Sequence, residues 1–197
     1  QLPVSLVLGT SAMVALAYCG LQVNPAPGVL NWTEGTLNGR LTRAAGTATL
    51  LGGTDVKTLG DGSELVNEGT VSWTGTGNFT AVCSGSTGPV VRNYGGWTVS
   101  GGADFIRQGT AVHANFHNES SGTFTKLNTA TTYSTWRWHN AGMVNINQGW
   151  LEWHQNGTHS GTFSIANNCW LHMLAGTHSV AGGTPFNGSG SVLVNGA

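Results

Sequence analysis

From Asn31 onward the chain repeats one local pattern, in which a glycine precedes residues that alternate between polar and apolar side chains. Alternation with a period of two predicts short β-strands that bury one face. The pattern returns at intervals of about 20 residues in the C-terminal half and at longer intervals before it, which is typical of a solenoid built from stacked coils. Seven segments share the pattern: Gly35–Leu37, Gly69–Trp73, Gly96–Val99, Gly122–Thr125, Gly142–Ile146, Gly161–Ile165 and Gly190–Val194.

A second short strand follows some copies of the pattern, most clearly at Gly149–Trp153 and Asn168–Met173. Two or three strands per repeat, separated by glycine and asparagine, describe one coil of a β-helix. We therefore predict an all-β protein: a right-handed, single-stranded parallel β-helix of about 20 residues per coil over residues 29–197. Asparagines at the corners are expected to stack in ladders. The alternation predicts an inward face formed by Val144, Ile146, Leu151, Phe163, Ile165, Leu171, Met173, Val192 and Val194.

Residues 1–28 have a different texture and end in a turn-rich segment around Pro25 and Pro27. Their apolar stretch lacks the basic segment that begins a signal peptide and is marginal in length for a membrane span. We predict either a buried cap over the end of the solenoid or an assembly strand that pairs with a neighbouring copy. The assembly prediction assigns the contact to Val4, Leu6, Leu8, Val14 and Leu16.

Charged residues form 8% of the chain and the formal net charge is −1. A nucleic-acid partner is therefore not expected, because no basic field is available to hold a phosphate backbone. Eight tryptophans favour a packed core over disorder. Cys19, Cys83 and Cys169 form no metal or haem motif; they are interpreted as small buried hydrophobes, with one disulfide and a free thiol as the alternative.

The repeats also resemble those of a known class of proteins. The segments Asn31–Gly39, Asn67–Trp73, His139–Ile146 and Thr158–Phe163 are similar to repeats of bacterial secreted β-solenoid proteins, the autotransporter-passenger-like and filamentous-haemagglutinin-like surface proteins. The resemblance covers residues 29–197 and implies an extracellular or cell-surface location. It implies structural, adhesive or filament-forming roles and transfers no catalytic residue.

The C-terminal half departs from that texture because it is rich in tryptophan and histidine. Exposed indole rings suit a sugar-binding face, since they pack against the C–H surface of a pyranose while polar side chains bind its hydroxyls. Alternation places Trp150 with Glu152 on one face and Trp153 on the other, so only one of the two tryptophans is expected to point outward. Burial in the core is the alternative. The candidate glycan-binding residues are Trp150, Trp153, Trp170, Glu152 and His172.

Two pairs of histidines have spacings close to one coil, His159 with His178 and His154 with His172. Neighbouring coils could bring each pair together, and neutral imidazole is a common metal ligand. Because no cysteine and no carboxylate accompanies them at ligand spacing, we expect neither a metal nor another cofactor. No sequence motif of a hydrolase, metalloprotease or nucleotide-binding loop occurs, so we do not expect an enzyme.

These observations predict an extracellular or cell-surface structural or adhesive β-solenoid. Self-association is the expected partnership, either as a head-to-tail homopolymer joined through the apolar N-terminal segment or as part of a longer chain. The alternative is a carbohydrate-binding module, or a polysaccharide-active enzyme, that uses its Trp- and His-rich face. A membrane span is not expected.

Overall fold

The computed structural model of the protein describes residues 5–8, 13–15 and 28–195. These residues form short β-strands joined by turns, and they include no helix. The strands are β1 (Ser5–Leu8), β2 (Met13–Ala15), β3 (Val29–Trp32), β4 (Gly35–Asn38), β5 (Arg40–Arg43), β6 (Ala48–Leu51), β7 (Lys57–Leu59), β8 (Glu64–Asn67), β9 (Thr70–Trp73), β10 (Phe79–Val82), β11 (Val90–Asn93), β12 (Gly96–Val99), β13 (Phe105–Gln108), β14 (Asn115–Asn118), β15 (Thr123–Lys126), β16 (Thr131–Ser134), β17 (Arg137–Asn140), β18 (Met143–Ile146), β19 (Trp150–Trp153), β20 (Gly157–His159), β21 (Thr162–Ile165), β22 (Trp170–Met173), β23 (His178–Val180), β24 (Phe186–Gly188) and β25 (Ser191–Val194).

The strands stack into three parallel sheets, because each coil of the chain contributes to the sheets in turn. Sheet A has the order β1-β3-β6-β9-β12-β15-β18-β21-β24, and sheet B has the order β2-β4-β7-β10-β13-β16-β19-β22-β25. Sheet C has the order β5-β8-β11-β14-β17-β20-β23. The result is a parallel β-solenoid of about 8 turns with about 22 residues per turn, which confirms the predicted fold.

Equivalent residues stay in register although the coils differ in length. Thr70, Gly96, Thr123 and Met143 follow one another across sheet A at unequal sequence intervals. The additional residues lie in the turns between strands, where the backbones of successive coils also approach closely. At Gly101 an added Cβ atom would lie 1.9 Å from the carbonyl oxygen of Gly75. Glycine at that corner is therefore a requirement of coil stacking.

One contact in sheet B is weaker than the others. Strands β13 and β16 pair only at Phe105 and Ser134. Side chains complete part of the interrupted ladder: Asp104 Oδ1 accepts the N–H of Tyr133 at 2.8 Å, and Thr135 Oγ1 accepts the N–H of Arg107 at 2.7 Å. The coils before and after this step are joined along the full lengths of β12 and β15 in sheet A and of β11 and β14 in sheet C.

The interior is dominated by aromatic rings. Phe116 stacks on Trp138 with ring centroids 4.3 Å apart, and Trp138 stacks on Trp153 at 5.1 Å. Such rings bury about 150–250 Å² each, so they supply much of the hydrophobic free energy of folding. The tryptophans with fully buried side chains are Trp32, Trp73, Trp97, Trp136, Trp138 and Trp153. The inward positions predicted from Val144 to Met173 are buried as expected.

Asparagines form a buried ladder along the last position of the sheet C strands. The side-chain Nδ2 of Asn67 donates to Oδ1 of Asn93. In the same way, Asn93 donates to Asn118 and Asn118 donates to Asn140, and each of the three distances is 2.8 Å. These bonds confirm the predicted stacking of asparagine between coils, and they satisfy the buried amide oxygens of all members but the first, Asn67, whose Oδ1 has no partner. His159 takes the next position in register after Asn140.

The last described coil leaves core positions uncovered. Val192 and Val194 continue the inward rows of Leu171 and Met173, yet they are 38% and 63% exposed. Phe186 in sheet A is 42% exposed for the same reason. The predicted alternation is thus correct for these residues, while their burial depends on a further coil that the described residues do not provide.

At the opposite end, β1 and β2 pair in parallel with β3 and β4. Of the predicted assembly residues, Leu6 and Leu8 fall in β1 and Val14 falls in β2, whereas Val4 and Leu16 lie outside the described residues. The described part of the chain contains no helix long and apolar enough to cross a membrane. Cys83 and Cys169 are buried free thiols, and Cys19 lies outside the described residues.

Candidate functional site: an aromatic and acidic cluster on sheet B

Four of the five predicted glycan-binding residues lie together on the outer face of sheet B. Strands β19 and β22 pair in register, so that Trp150 faces Trp170 and Glu152 faces His172. Alternation sends all four side chains outward while Leu151 and Leu171 fill the core between them. Tyr133 precedes Glu152 in the same row, and His154 follows β19. We call the group the Trp150 cluster: Tyr133, Trp150, Glu152, His154, Trp170 and His172.

The fifth predicted residue, Trp153, points into the core and corrects the sequence assignment. Its side chain is fully buried between the rings of Trp138 and His159, with the latter centroid 4.9 Å away. This burial agrees with the expectation that only one of Trp150 and Trp153 points outward. Trp153 is therefore unavailable to a ligand.

The aromatic rings of the cluster surround one imidazole. The ring centroids of Trp150 and Trp170 are 6.4 Å apart, and His172 lies 5.2 Å from the first and 5.4 Å from the second. Trp150 is 43% exposed, in contrast to the buried tryptophans of the core. A neighbouring pair, Tyr133 and His154, has centroids 4.3 Å apart. The cluster thus offers open indole surface beside polar ring atoms.

Glu152 lies between two histidines. His172 Nδ1 is 3.2 Å from Glu152 Oε1, and His154 Nε2 is 3.6 Å from Oε2. A carboxylate only accepts hydrogen bonds, so His172 Nδ1 donates to Glu152 Oε1. His154 Nε2 is buried without a hydrogen-bond partner. Burial raises the pKa of nearby Asp104, and the negative charge of Glu152 raises it further.

Sequence analysis missed a second site on sheet C, where His117 stacks on His139 with ring centroids 4.5 Å apart. His139 Nδ1 bonds Thr158 Oγ1 at 2.7 Å, and Glu119 lies beside the pair. Burial and the neighbouring His139 lower the pKa of His117 to about 4. The residues line a surface depression of about 230 Å³. The signal was present in the sequence, because the spacing of the two histidines equals one coil.

An ion-pair network occupies the same outer face of sheet C. Glu64 contacts Arg40 at 3.1 Å and Arg92 at 3.0 Å, and Arg92 reaches Glu119 at 2.9 Å. Side-chain bonds to both glutamates raise the pKa of Arg92. Three of the four lysine or arginine residues that are not buried, Arg40, Arg92 and Arg137, thus lie in sheet C, and the fourth, Arg107, lies in β13 of sheet B.

The stacking of coils brings together both histidine pairs that the sequence suggested. His159 Nε2 lies 3.0 Å from His178 Nδ1, while His154 and His172 lie on either side of Glu152. Among the described residues, no group of three or more histidine, cysteine, aspartate or glutamate side chains has the geometry to hold a metal ion.

The three parallel sheets define the chain as a β-solenoid. No family model, curated protein or solved structure matches it. Function is therefore argued from the geometry of the Trp150 cluster and of the coil ends.

Proposed function

We propose that the protein is an extracellular or cell-surface adhesive β-solenoid that binds carbohydrate through the Trp150 cluster. The observation that supports this most is the placement of Trp150 and Trp170. The core buries the side chains of the other tryptophans completely, whereas these two lie side by side on the outer face of sheet B. The two indoles contact each other and His172 and take no part in the core of the solenoid.

The chemistry of the cluster matches that of a sugar ring. A pyranose presents C–H surface to an indole, while its hydroxyls need hydrogen-bond partners at the edge of the ring. Glu152 is an acceptor placed next to the indoles, and the largely buried His172 contacts both the carboxylate and the ring of Trp150. Strand β19 pairs with β16 on one side and β22 on the other, which holds these groups in position. Binding a ligand therefore costs little conformational entropy in the protein.

The proposed role is binding and not catalysis. Glycoside hydrolysis uses two free carboxyl groups on either side of the scissile bond. Near the cluster the carboxylates are Glu152, which the two histidines flank, and Asp104, which accepts the backbone N–H of Tyr133. One coil earlier, Asn78 Oδ1 accepts the backbone N–H of Asp104 in the same way. Asp104 therefore belongs to a row of side chains that bond the backbone of the next coil.

Glycan binding is tested with purified protein and a panel of immobilised polysaccharides, followed by affinity electrophoresis with soluble members of the panel. Trp150→Ala and Trp170→Ala are expected to weaken binding by about tenfold or more, since central aromatic side chains dominate such contacts. Met143→Ala is the matched control, because Met143 has nearly the same exposure as Trp150 but lies on sheet A. Absence of binding across the panel, or binding that both tryptophan variants retain, would contradict the proposal.

End-to-end assembly is the second candidate function, and the uncovered last coil favours it. Val192, Val194 and Phe186 occupy core positions but contact solvent, and β24 and β25 are edge strands of sheets A and B. The opposite edges of the same sheets are β1 and β2. Parallel pairing of β24 and β25 with β1 and β2 of a second copy would continue both sheets and cover the exposed apolar residues.

Electron microscopy of the intact chain and of a variant lacking residues 1–20 tests assembly. Fibres or head-to-tail rods that disappear on deletion are expected. Val194→Asp should also abolish them by placing a charge in the joined core, whereas Leu193→Asp on the outward side of the same strand should not. Short rods of one length in all samples would exclude assembly through these ends.

A further inference from the structure

We infer that the Trp150 cluster selects glycans that carry amino groups over acidic glycans, and that Glu152 is the specificity-determining residue. The inference rests on the proposed carbohydrate binding and names its ligand class. Glucosamine polymers are the chemistry in question: each ring offers a C–H face, several hydroxyls and one ammonium group. Uronate polymers offer the same ring with a carboxylate.

The charges around the cluster have one sign. On the outward positions of β16, β19, β22 and β25, Glu152 is the only aspartate, glutamate, lysine or arginine. A second carboxyl group is close by, because Asp104 Oδ1 accepts the backbone N–H of Tyr133, which belongs to the cluster. A carboxylate or sulfate brought to the indoles would meet these acids, and the outward positions of the same strands hold no lysine or arginine to compensate.

The basic residues are engaged elsewhere. Arg43, Lys57 and Lys126 are buried in the solenoid. Arg40, Arg92 and Arg137 lie in sheet C, in strands β5, β11 and β17. In sheet B, Arg107 bonds the ring of His113 at 2.6 Å. The cluster therefore has no arginine fork of the kind that recognises acidic ligands.

Glu152 supplies hydrogen-bond acceptors beside the indole N–H donors of Trp150 and Trp170. A carboxylate accepts about four hydrogen bonds, and the histidines approach only one position on each oxygen of Glu152. The ring of His172 lies between the two indole rings and donates from Nδ1 to Glu152 Oε1. An ammonium group supplies three donors to such a site, whereas a ligand carboxylate supplies none. Donor-rich amino sugars therefore complement the cluster in both charge and hydrogen bonding.

The test compares the affinities of the full chain for hexamers of glucosamine, N-acetylglucosamine, glucose in β-1,4 linkage, and galacturonic acid, measured by calorimetry at neutral pH. We expect the glucosamine hexamer to bind most tightly and the galacturonate hexamer to bind most weakly. Rising salt should narrow the difference, because the selection is electrostatic. Equal affinities for the glucosamine and galacturonate hexamers, or tighter binding of the latter, would overturn the inference.

Variants separate this inference from the proposed function. Glu152→Gln should lower affinity for the glucosamine hexamer by about tenfold and change affinity for the uncharged hexamers by less than about threefold. Glu152→Lys should favour the galacturonate hexamer. Glu68→Gln is the matched control, since it makes the same change at an exposed glutamate on another part of the surface. An unchanged preference in Glu152→Gln refutes the selectivity while leaving sugar binding intact, whereas binding that Trp150→Ala does not weaken refutes the proposed site itself.

Discussion

Acid should weaken the solenoid through one histidine pair near its C-terminal end. His159 is 2% exposed, and its Nε2 shares a hydrogen bond with His178 Nδ1 at 3.0 Å. His178 Nε2 lies 3.3 Å from the carbonyl oxygen of Ala175. A carbonyl only accepts, so His178 Nε2 carries the proton and its Nδ1 accepts from His159 Nε2. The remaining nitrogen, His159 Nδ1, is therefore unprotonated, and it is buried without a partner.

A proton added to His159 would be buried with no acceptor. Burial, with smaller contributions from the nearby His178 and His139, lowers the pKa of His159 to about 3. No carboxylate contributes to this environment. An imidazole in the unfolded chain has a pKa of about 6.5. Between these two values the unfolded state binds a proton that the folded state does not, so stability is complete above about pH 6.5 and is lost as the pH falls towards 3.

The slope is about 1.4 kcal/mol per pH unit, so lowering the pH from 7.5 to 4.5 should cost about 3 kcal/mol through His159 alone. The assay is urea unfolding at both pH values, followed by tryptophan fluorescence and circular dichroism. His159→Asn provides the comparison, because asparagine continues the ladder of Asn140 and does not titrate. The variant should lose about 3 kcal/mol less than the parent protein over the same pH interval, whatever its stability at pH 7.5.

The measured quantity is the change in unfolding free energy between pH 7.5 and 4.5, compared between parent and variant. The comparison removes the effect of the substitution on packing and the contributions of titrating groups that both proteins contain. If parent and variant lose the same free energy of unfolding between pH 7.5 and 4.5, the reasoning from the buried Nδ1 is wrong. If the parent loses none, the pair accepts a proton without cost and the assigned hydrogen-bond directions are also wrong.

Three further predictions concern the stacking of coils, and each is measured by the urea midpoint of unfolding. Asn118→Asp should destabilise by about 3 kcal/mol or more, because it removes both donated bonds of Asn118 and places a charge in the ladder. Lys126→Met should cost about 3 kcal/mol, since the Nζ of Lys126 lies within hydrogen-bond distance of four oxygens, three in the turn after β15 and that of Gln148 in the turn after β18, which would lose their partner. Gly101→Ala should destabilise markedly, whereas Gly182→Ala, with nothing within 4 Å of the added Cβ, should change the midpoint little.

Local sequence patterns predicted the architecture because they record packing directly. The inward row of Val144, Leu151 and Phe163 follows from alternation, which needs no knowledge of neighbouring coils. The outward direction of Trp150 with Glu152 follows from the same rule. Their contact with Trp170 and His172 depends in addition on the register between coils.

Two features were not predicted from the sequence, the pairing of side chains between coils of unequal length and the burial of a charged side chain in the core. Unequal turns hide which residues share a row, so the stacked pair of His117 and His139 was overlooked on sheet C. Lysine is normally a surface residue, and only the ring of backbone oxygens around Lys126 explains its complete burial. The sequence did not decide which residues of the second strand in each coil point inward. The inward direction of Trp153 was established by its stacking on Trp138.

The interrupted pairing of β13 and β16 has a mechanical consequence. Hydrogen bonds between parallel strands of a solenoid run along its axis, so a pulling force at the two ends acts on every coil-to-coil junction in series. Each junction carries the same load, and the one with the fewest bonds yields first. Because Phe105 and Ser134 form the only paired position between β13 and β16, sheet B should open first at that step, while β12 with β15 and β11 with β14 still hold the coils together.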